Sequence, residues 1–256
     1  MRRSRGAEID PREMTFLEHL EELRWVLIRS VVVLAVATAL SFIVADWVMR
    51  EVLIRPLHVH FPELTLIYLK PAGYFMAQVS VSLWIAFIVS LPYIAWEFWR
   101  FIAPGLFVRE RRLIPVVLAV TVVCFLLGSA LAYFQVLPLA LRFFLSFGSD
   151  LVVPQIEIRE YLSFSLRLIF AFGVVFELPV LAFFLARAGL LSAAFMRGVR
   201  SYAVIAIAGL SAVITPPDPI SMLLLMGPLL VLYEVSIWVA AAGAGRYRKI
   251  LEEGPE

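Results

Sequence analysis

Apolar residues fill six long stretches of the chain, and short polar segments separate them. The stretches lie at about 25–45, 72–96, 113–141, 161–186, 201–215 and 220–242. An apolar run of about 20 residues is long enough to cross the roughly 30 Å hydrocarbon core of a bilayer as a helix. The pattern therefore predicts an all-α integral membrane protein with six transmembrane helices, in a single domain over residues 1–256.

The polar segments predict an interfacial helix and two external loops. Residues 14–24 place apolar side chains at helical spacing and acids on the other side. This is typical of an amphipathic helix that lies in the membrane interface. Segments 46–71 and 142–160 are predicted to form an external cap. In the first of them three prolines, Pro56 among them, prevent one long helix.

The fifth and sixth stretches are short. Fifteen helical residues at 201–215 extend about 22 Å, which is less than the thickness of the hydrocarbon core. We therefore expect the bilayer to be thinner on the side of the bundle that these spans form.

The composition excludes a soluble globular domain. Hydrophobic residues make up 62% of the chain, charged residues make up 16%, and the mean hydropathy is +0.92, whereas soluble domains are roughly 45–50% apolar. Most of the 22 Lys and Arg residues fall in segments on the same side of the six spans as the N terminus. The positive-inside rule then predicts that both ends of the chain are cytoplasmic.

One acid, Glu177, stands at the centre of the apolar run Leu168–Ala186. A carboxyl group at the middle of a bilayer costs about 3 kcal/mol on translocon scales, so it normally faces a protein interior or a wet cavity. Gly173, four residues earlier on the same helix face, leaves room for water, a partner helix or a ligand. These residues predict a functional surface inside the membrane. The alternative is a protonated Glu177 that hydrogen-bonds a neighbouring helix and only holds the bundle together.

Further acids lie on the predicted cytoplasmic side, where most of the charge is basic. Glu22 precedes the first span, and Glu110 lies in the loop between the second and third spans. Carboxylates in such a setting suit guanidinium groups, because arginine presents a planar fork that a carboxylate accepts bidentately. Alternatively, both acids only neutralise the neighbouring Arg24, Arg109 and Arg111.

The sequence lacks the common enzyme motifs. There is no HExxH, GxSxG, phosphate-binding or dinucleotide-binding pattern, and His58 with His60 alone makes a weak metal site. We therefore predict no catalytic residue, no metal and no cofactor. The alternative function is a proton-coupled small-molecule transporter, with Glu177 and Glu234 as proton carriers.

A series of short motifs is spread over residues 14–237. In chain order they are His19-Leu20-Glu21-Glu22-Leu23-Arg24, Arg55-Pro56-Leu57, Phe101 to Leu106 with Glu110-Arg111-Arg112, Ala132-Tyr133-Phe134 with Pro138, Tyr161-Leu162-Ser163-Phe164, Phe172-Gly173 with Phe176-Glu177 and Pro179, and Thr215-Pro216-Pro217-Asp218. With these motifs in this order, the chain resembles the TatC family, the multispanning receptor subunit of the twin-arginine protein translocase.

The resemblance implies a concave bundle with both ends inside, in the cytoplasmic (inner) membrane. It implies a non-enzymatic receptor for the paired arginines in the signal peptides of folded export substrates, and export that uses the proton motive force. The positions expected to bind the signal peptide are Glu22, Arg24, Phe101, Pro104, Leu106 and Glu110.

The resemblance also implies partners inside the membrane, and it implies no nucleic acid. Single-span subunits of the TatA and TatB type are expected to dock at Glu177, Gly173 and Phe172 through a polar residue of their own. Copies of the chain are expected to associate with one another in the complex. On the external side, the resemblance marks Pro56, Tyr133, Glu157 and Asp218 as structural or functional positions.

Overall fold

The structure is a computed structural model that describes residues 16–62, 64–102, 114–146, 155–187, 189–215 and 219–253. The helices are α1 (Phe16–Trp47), α2 (Arg55–His60), α3 (Gly73–Ile102), α4 (Ile114–Leu131), α5 (Leu137–Leu145), α6 (Ile158–Val175), α7 (Leu178–Arg187), α8 (Ala193–Gly198), α9 (Arg200–Ile214) and α10 (Pro219–Glu253). The other elements are two π-helical segments, π1 (Val48–Ile54) and π2 (Ala132–Val136), and two strands, β1 (Thr65–Ile67) and β2 (Gln155–Glu157).

Five helical stretches within these residues are long and apolar enough to cross a membrane. They are His19–Val59, Gly73–Phe101, Pro115–Leu145, Ile158–Arg187 and Leu225–Gly243. Helix α9 is apolar as well, but it has only 15 residues. The all-α membrane fold is confirmed, while the number of six spans stays a prediction.

Helix α1 joins the predicted interfacial helix to the first span. It runs without a break from Phe16 to Trp47. This stretch contains neither Pro nor Gly, so no residue ends the helix between Arg24 and Trp25. The residues of the predicted amphipathic helix that the structure describes are thus helical, and they continue directly into the first span.

The helix of the first span also continues into the segment that was predicted to be an external loop. Segment π1 and helix α2 carry it on to His60. Pro56 does not end it, because Pro56 lies in the first turn of α2 and follows a π-helical turn in which the Arg55 N–H bonds the Arg50 carbonyl, five residues back. The prediction of short helical pieces over all of 46–71 is therefore wrong for residues 46–60.

The span that contains Glu177 is two helices. Helix α6 ends at Val175, α7 begins at Leu178, and Glu177 lies in the turn between them. Its N–H bonds the Val174 carbonyl, three residues back, in a tightened last turn. Pro179 has no N–H to give to the Val175 carbonyl, which accounts for a break at this position. The expectation that Glu177 stands in the middle of a continuous helix is therefore wrong.

A short parallel ladder joins the two external segments. Strand β1 pairs with β2 in the register Thr65 with Gln155 and Ile67 with Glu157. Each strand has three residues, and β2 leads directly into α6. The sequence had not predicted a strand in either segment.

The main hydrophobic core is built from buried residues of α1, α2, α3, α5, α6, α9 and α10, together with the π segments. Phe172 of α6 is fully buried in it. Helices α4 and α6 are in very close contact, because a Cβ at Gly128 would lie 2.6 Å from the Phe172 carbonyl oxygen, and a Cβ at Gly173 would lie 2.6 Å from the Phe125 ring. Glycines therefore make this close contact possible.

Helix α10 is long, with 35 residues from Pro219 to Glu253. Its apolar part, Leu225–Gly243, has 19 residues. The apolar part of α10 is thus shorter than the other four long apolar stretches, although the helix itself continues to Glu253. The 15 residues of α9 are too few for a full hydrocarbon core.

Candidate functional site

Glu177 is half-buried at the break between α6 and α7. The side chain of Thr121 and the main chain of Phe125, both in α4, interact with its carboxyl group. Thr121 also accepts a hydrogen bond from the Trp99 indole N–H at 3.4 Å, which ties it to α3. The carboxyl atom Oε1 is buried and has no hydrogen-bond partner among the described residues. The bundle thus holds the Glu177 side chain but leaves one of its acceptors unsatisfied.

Gly173 and Phe172 lie inside the bundle and do not form an outward surface with Glu177. Gly173 faces the Phe125 ring and the Ser129 hydroxyl, which would lie 2.6 and 2.7 Å from an added Cβ. The expectation that Gly173 leaves room for water, a partner or a ligand is therefore wrong, because α4 already fills that space. Phe172 is fully buried, so it supports the position of Glu177 from within.

The N-terminal part of α1 packs along the C-terminal part of α3. The rings of His19 and Phe101 stack with centroids 4.2 Å apart. Further along α1, Arg29 Nη1 lies 3.6 Å from Glu97 Oε2 of α3. These contacts fix the two helices side by side in opposite directions.

A slot of about 150 Å³ lies between these two helices. We call it the α1–α3 slot, and its lining residues are Glu22, Trp25, Val26, Arg29, Glu97, Arg100 and Phe101. Glu22 Oε2 is buried and has no hydrogen-bond partner within the described part of the chain. The structure thus places two of the residues expected to bind the signal peptide, Glu22 and Phe101, in one cavity.

The other residues expected at this site fall into two groups. Arg24 is exposed on α1 and does not line the slot. Pro104, Leu106 and Glu110 lie outside the described residues. Glu97, in contrast, was missed: the second span was ended at Trp96, although α3 continues to Ile102. An acid placed directly after a long apolar run was the available signal.

Comparisons with known proteins decide the family. The family model described as "Sec-independent protein translocase protein (TatC)" matches residues 18–228. The Sec-independent protein translocase protein TatC of Carboxydothermus hydrogenoformans is 37% identical over 233 residues, which cover 91% of this chain and 95% of that protein. The protein of the same name from Aquifex aeolicus is 36% identical over 239 residues, which cover 93% of this chain and 99% of that protein.

A crystal structure of the twin-arginine translocase receptor TatC matches the fold with a TM-score of 0.83 at 36% identity. The match covers 88% of this chain and 99% of that chain. This chain belongs to the TatC family. The resemblance seen in the sequence motifs is thereby confirmed, and the chain is a multi-pass membrane subunit of the TatC type.

The external positions suggested by the TatC resemblance meet around π1. Pro56 has no N–H for the Val52 carbonyl, four residues back, and the Tyr133 hydroxyl donates to that carbonyl instead. The Tyr161 hydroxyl donates to the next carbonyl, that of Leu53, at 2.8 Å. Pro56, Tyr133 and Tyr161, which we call the Tyr–Pro cluster, also line an apolar cavity of about 210 Å³. Two side chains thus satisfy the carbonyls at the proline and fix the external end of this TatC-type bundle.

The remaining external positions are less informative. Glu157 ends β2 opposite Ile67 and precedes α6, where its side chain makes no capping hydrogen bond. Asp218 lies outside the described residues.

Glu234 is not the second buried acid that the sequence predicted. Its Oε2 lies 2.7 Å from Arg200 Nη2, and both side chains are about half exposed. The pair joins the start of α9 to α10. Because Glu234 is exposed and paired, the transporter alternative loses one of its two proposed proton carriers. Among the described residues, no group of three or more His, Cys, Asp or Glu is placed to hold a metal ion.

Proposed function

We propose that this TatC-family chain is the receptor that binds the paired arginines of signal peptides on folded precursor proteins. The observation that supports this most directly is the buried Oε2 of Glu22 in the α1–α3 slot, which has no hydrogen-bond partner among the described residues. A buried carboxylate oxygen without a hydrogen bond is costly. A ligand that donates to it from a positively charged group would therefore bind favourably.

An arginine side chain fits this requirement better than a lysine side chain. Its guanidinium group donates two parallel hydrogen bonds to a carboxylate, and it stacks on aromatic rings such as Phe101, which lines the slot. In the proposed site, Glu22 and Glu110 accept from the two arginines, while Arg24, Phe101, Pro104 and Leu106 shape the surrounding surface. This end of the bundle is cytoplasmic in the proposal, in agreement with the distribution of basic residues.

The proposal gives Glu177 a second role, as the docking point for single-span partner subunits of the TatA and TatB type. Its Oε1 has no hydrogen-bond partner in the described part of the chain, and it can accept a hydrogen bond from a polar side chain of a partner helix. Such a bond replaces an unsatisfied polar atom inside the membrane and so favours association. Copies of the chain associate in the complex, and the proton motive force drives transport without any catalysis by this chain.

Binding of synthetic signal peptides to the full-length, detergent-purified chain tests the receptor function. A peptide with two consecutive arginines before an apolar segment is compared with the same peptide carrying two lysines. We expect the chain to bind the arginine peptide about tenfold or more tightly, because a hydrogen bond to a charged group contributes about 1.5–3 kcal/mol. The double variant Glu22→Ala, Glu110→Ala should lose this preference.

The matched control removes an acid from the opposite end of the bundle. Glu51 is ion-paired with Arg55 in the external segment, so Glu51→Ala should keep the preference for arginine. Equal binding of both peptides to the unaltered chain would overturn the proposed function.

A further inference from the structure

The α1–α3 slot contains a second acid that the proposed function does not use. Glu97 is only 4% exposed, although it carries a carboxyl group near the end of a membrane helix. It lines the same cavity as Glu22. Burying a carboxylate is costly unless charged and hydrogen-bonding partners compensate for the lost water. The cost of burying Glu97 therefore depends on the groups around its two oxygen atoms.

Two side chains, those of Tyr93 and Arg29, contact the Glu97 carboxyl group. The Tyr93 hydroxyl donates to Oε1 at 3.1 Å. Arg29 Nη1 lies 3.6 Å from Oε2, which is close enough for charge attraction but too long for a hydrogen bond. The strongest interaction available to a buried carboxylate, a charge-assisted hydrogen bond, is therefore not made to Oε2 by Arg29.

The charges in the slot differ in how deeply they lie. Two arginines, Arg29 and Arg100, line the slot together with the two acids. The side chain of Arg29 is 48% exposed and that of Glu97 is 6% exposed, and Arg100 is exposed as well. Both arginines can thus extend away from the slot, whereas Glu97 and the Oε2 atom of Glu22 stay inside it. The two acids are consequently the more deeply placed charges of the slot.

The size and walls of the slot suit a flat cation. A cavity of about 150 Å³ in another protein holds one benzene ring, and a guanidinium group is a smaller planar group. Trp25 and Phe101 supply aromatic surfaces along the slot, and guanidinium groups stack on such surfaces. The volume of the slot, its aromatic walls and its two acids therefore all favour a guanidinium group as the ligand.

We propose that Glu97 is a further specificity-determining residue, which with Glu22 accepts one guanidinium group of the signal peptide inside the α1–α3 slot. The inference rests on the proposed receptor function and adds a residue to that site. In the empty slot, Arg29 balances the charge of Glu97 without bonding it. The incoming guanidinium group donates to Oε2 of Glu22, which has no hydrogen-bond partner among the described residues, and to Oε2 of Glu97, which Arg29 approaches only to 3.6 Å. Arg29 then moves outward.

The test measures binding of four peptides, with Arg-Arg, Lys-Arg, Arg-Lys and Lys-Lys, to the full-length chain and to Glu97→Gln. We expect Glu97→Gln to weaken binding of the Arg-Arg peptide about tenfold or more. The loss should be much smaller for the two peptides in which lysine already replaces the arginine that enters the slot, namely one of the two mixed peptides and Lys-Lys. Glu22→Gln should remove discrimination at the same peptide position, since both acids accept from the same group. Glu51→Gln is the control, and it should change none of the four affinities.

The outcomes separate this inference from the proposed function. If the unaltered chain prefers Arg-Arg and Glu97→Gln keeps the full preference at both positions, Glu97 does not accept an arginine and only this inference fails. A uniform loss for all four peptides would mean that Glu97 only supports the helices, and would equally overturn it. No preference in the unaltered chain would overturn the proposed function itself.

A second measurement leaves Glu97 unchanged and so does not depend on the folding of its variant. Val26 lines the slot, and Cys124 is the single cysteine of the chain. In a Cys124→Ala background, Val26→Cys is modified with a small thiol reagent in the presence of each peptide. The Arg-Arg peptide should slow the modification and the Lys-Lys peptide should not. Absence of any protection by the Arg-Arg peptide would overturn entry of the guanidinium group into the slot.

Discussion

At the scale of single residues, the carboxyl group of Glu177 is held by contacts with α4 and still has one oxygen atom that could accept a hydrogen bond from a partner. Thr121 and Phe125 of α4 interact with it, and Trp99 of α3 donates to Thr121. Two helices therefore fix the side chain in place. Its Oε1 atom remains buried without a partner in the described part of the chain. Both interpretations from the sequence, a bond to a neighbouring helix and a site for a partner, thus find support in the same residue.

Replacing Glu177 with Ala should separate its structural role within the bundle from its proposed role in partner docking. We expect the free energy of unfolding of the isolated chain to stay the same or to rise by about 1 kcal/mol, because the change removes a buried polar atom that lacks a hydrogen bond. We expect co-purification with single-span partner subunits to be lost. Thermal unfolding in detergent and co-purification from membranes measure the two effects.

Glu234→Ala is the matched control for this change, because Glu234 is the half-exposed acid paired with Arg200. It should leave partner association intact. If Glu177→Ala retained its partners as well as Glu234→Ala does, Glu177 would have only a structural role.

The sequence indicated some of these residues and could not indicate others. Glu177 and Glu22 stand out because a charge beside or inside an apolar run is rare and costly. Glu97 was missed because the apolar run stops before it, although the helix does not. Gly173 was misread because a missing side chain shows that something comes close, and only the packing of α4 shows what it is.

At the scale of elements, Pro56 and Pro179 have opposite effects on the helices that contain them. Pro179 follows the break at Glu177, whereas the helix continues through Pro56 to His60. Near Pro56, a π-helical turn and the hydroxyl groups of Tyr133 and Tyr161 satisfy the carbonyls that the proline and the altered turn leave free. Sequence spacing locates such prolines, but the distant tyrosines that compensate for them become evident only in the fold.

A double-mutant cycle should reveal the compensation at Pro56. Tyr133→Phe should lower the free energy of unfolding by about 1–2 kcal/mol, because it removes the hydroxyl group that donates to the Val52 carbonyl. In a Pro56→Ala background the loss should be smaller, since the introduced alanine has a backbone N–H that can bond the same carbonyl. Thermal or denaturant unfolding of the unaltered chain, the two single variants and the double variant in detergent gives the coupling free energy between the two positions.

The exposed Tyr202 provides the control. Tyr202→Phe should change the free energy of unfolding by much less than Tyr133→Phe. Equal effects of Tyr133→Phe in the presence and absence of Pro56 would contradict the proposed compensation.

The two strands mark the limit of sequence-based prediction at this scale. Each has only three residues, which is too short for the alternating pattern that indicates a strand. Their pairing also depends on helices α3 to α5 bringing two distant segments together. No local sequence pattern shows that these two segments lie close together in the fold.

At the scale of the whole molecule, the spans differ greatly in length. The first apolar stretch covers 41 residues and the third covers 31, whereas α9 has 15. The short length of α9 was predicted correctly from the sequence, because the length of an apolar run is a local property. It underestimated the sixth helix, which continues beyond its apolar part.

The short α9 should lie in a thinner region of bilayer than the rest of the bundle. Single cysteines placed along α9 and along Pro115–Leu145, in a Cys124→Ala background, are tested for reaction with a water-soluble thiol reagent in vesicles. We expect a protected window of at most about 15 residues in α9, and one of about 20 residues in the longer stretch. Protected windows of equal length would contradict local thinning.

The two ends of the bundle also differ in the kind of contact that joins their segments. At one end, the β1–β2 ladder, the Tyr–Pro cluster and the hydrogen bond from Tyr74 to Asp46 join distant segments directly. At the other end, α1 and α3 meet around a slot whose ion pair is longer than a hydrogen bond. Main-chain hydrogen bonds thus set the register of two distant segments at the ladder. Beside the slot, the contacts described between α1 and α3 are made by side chains, which can change rotamer when a ligand enters.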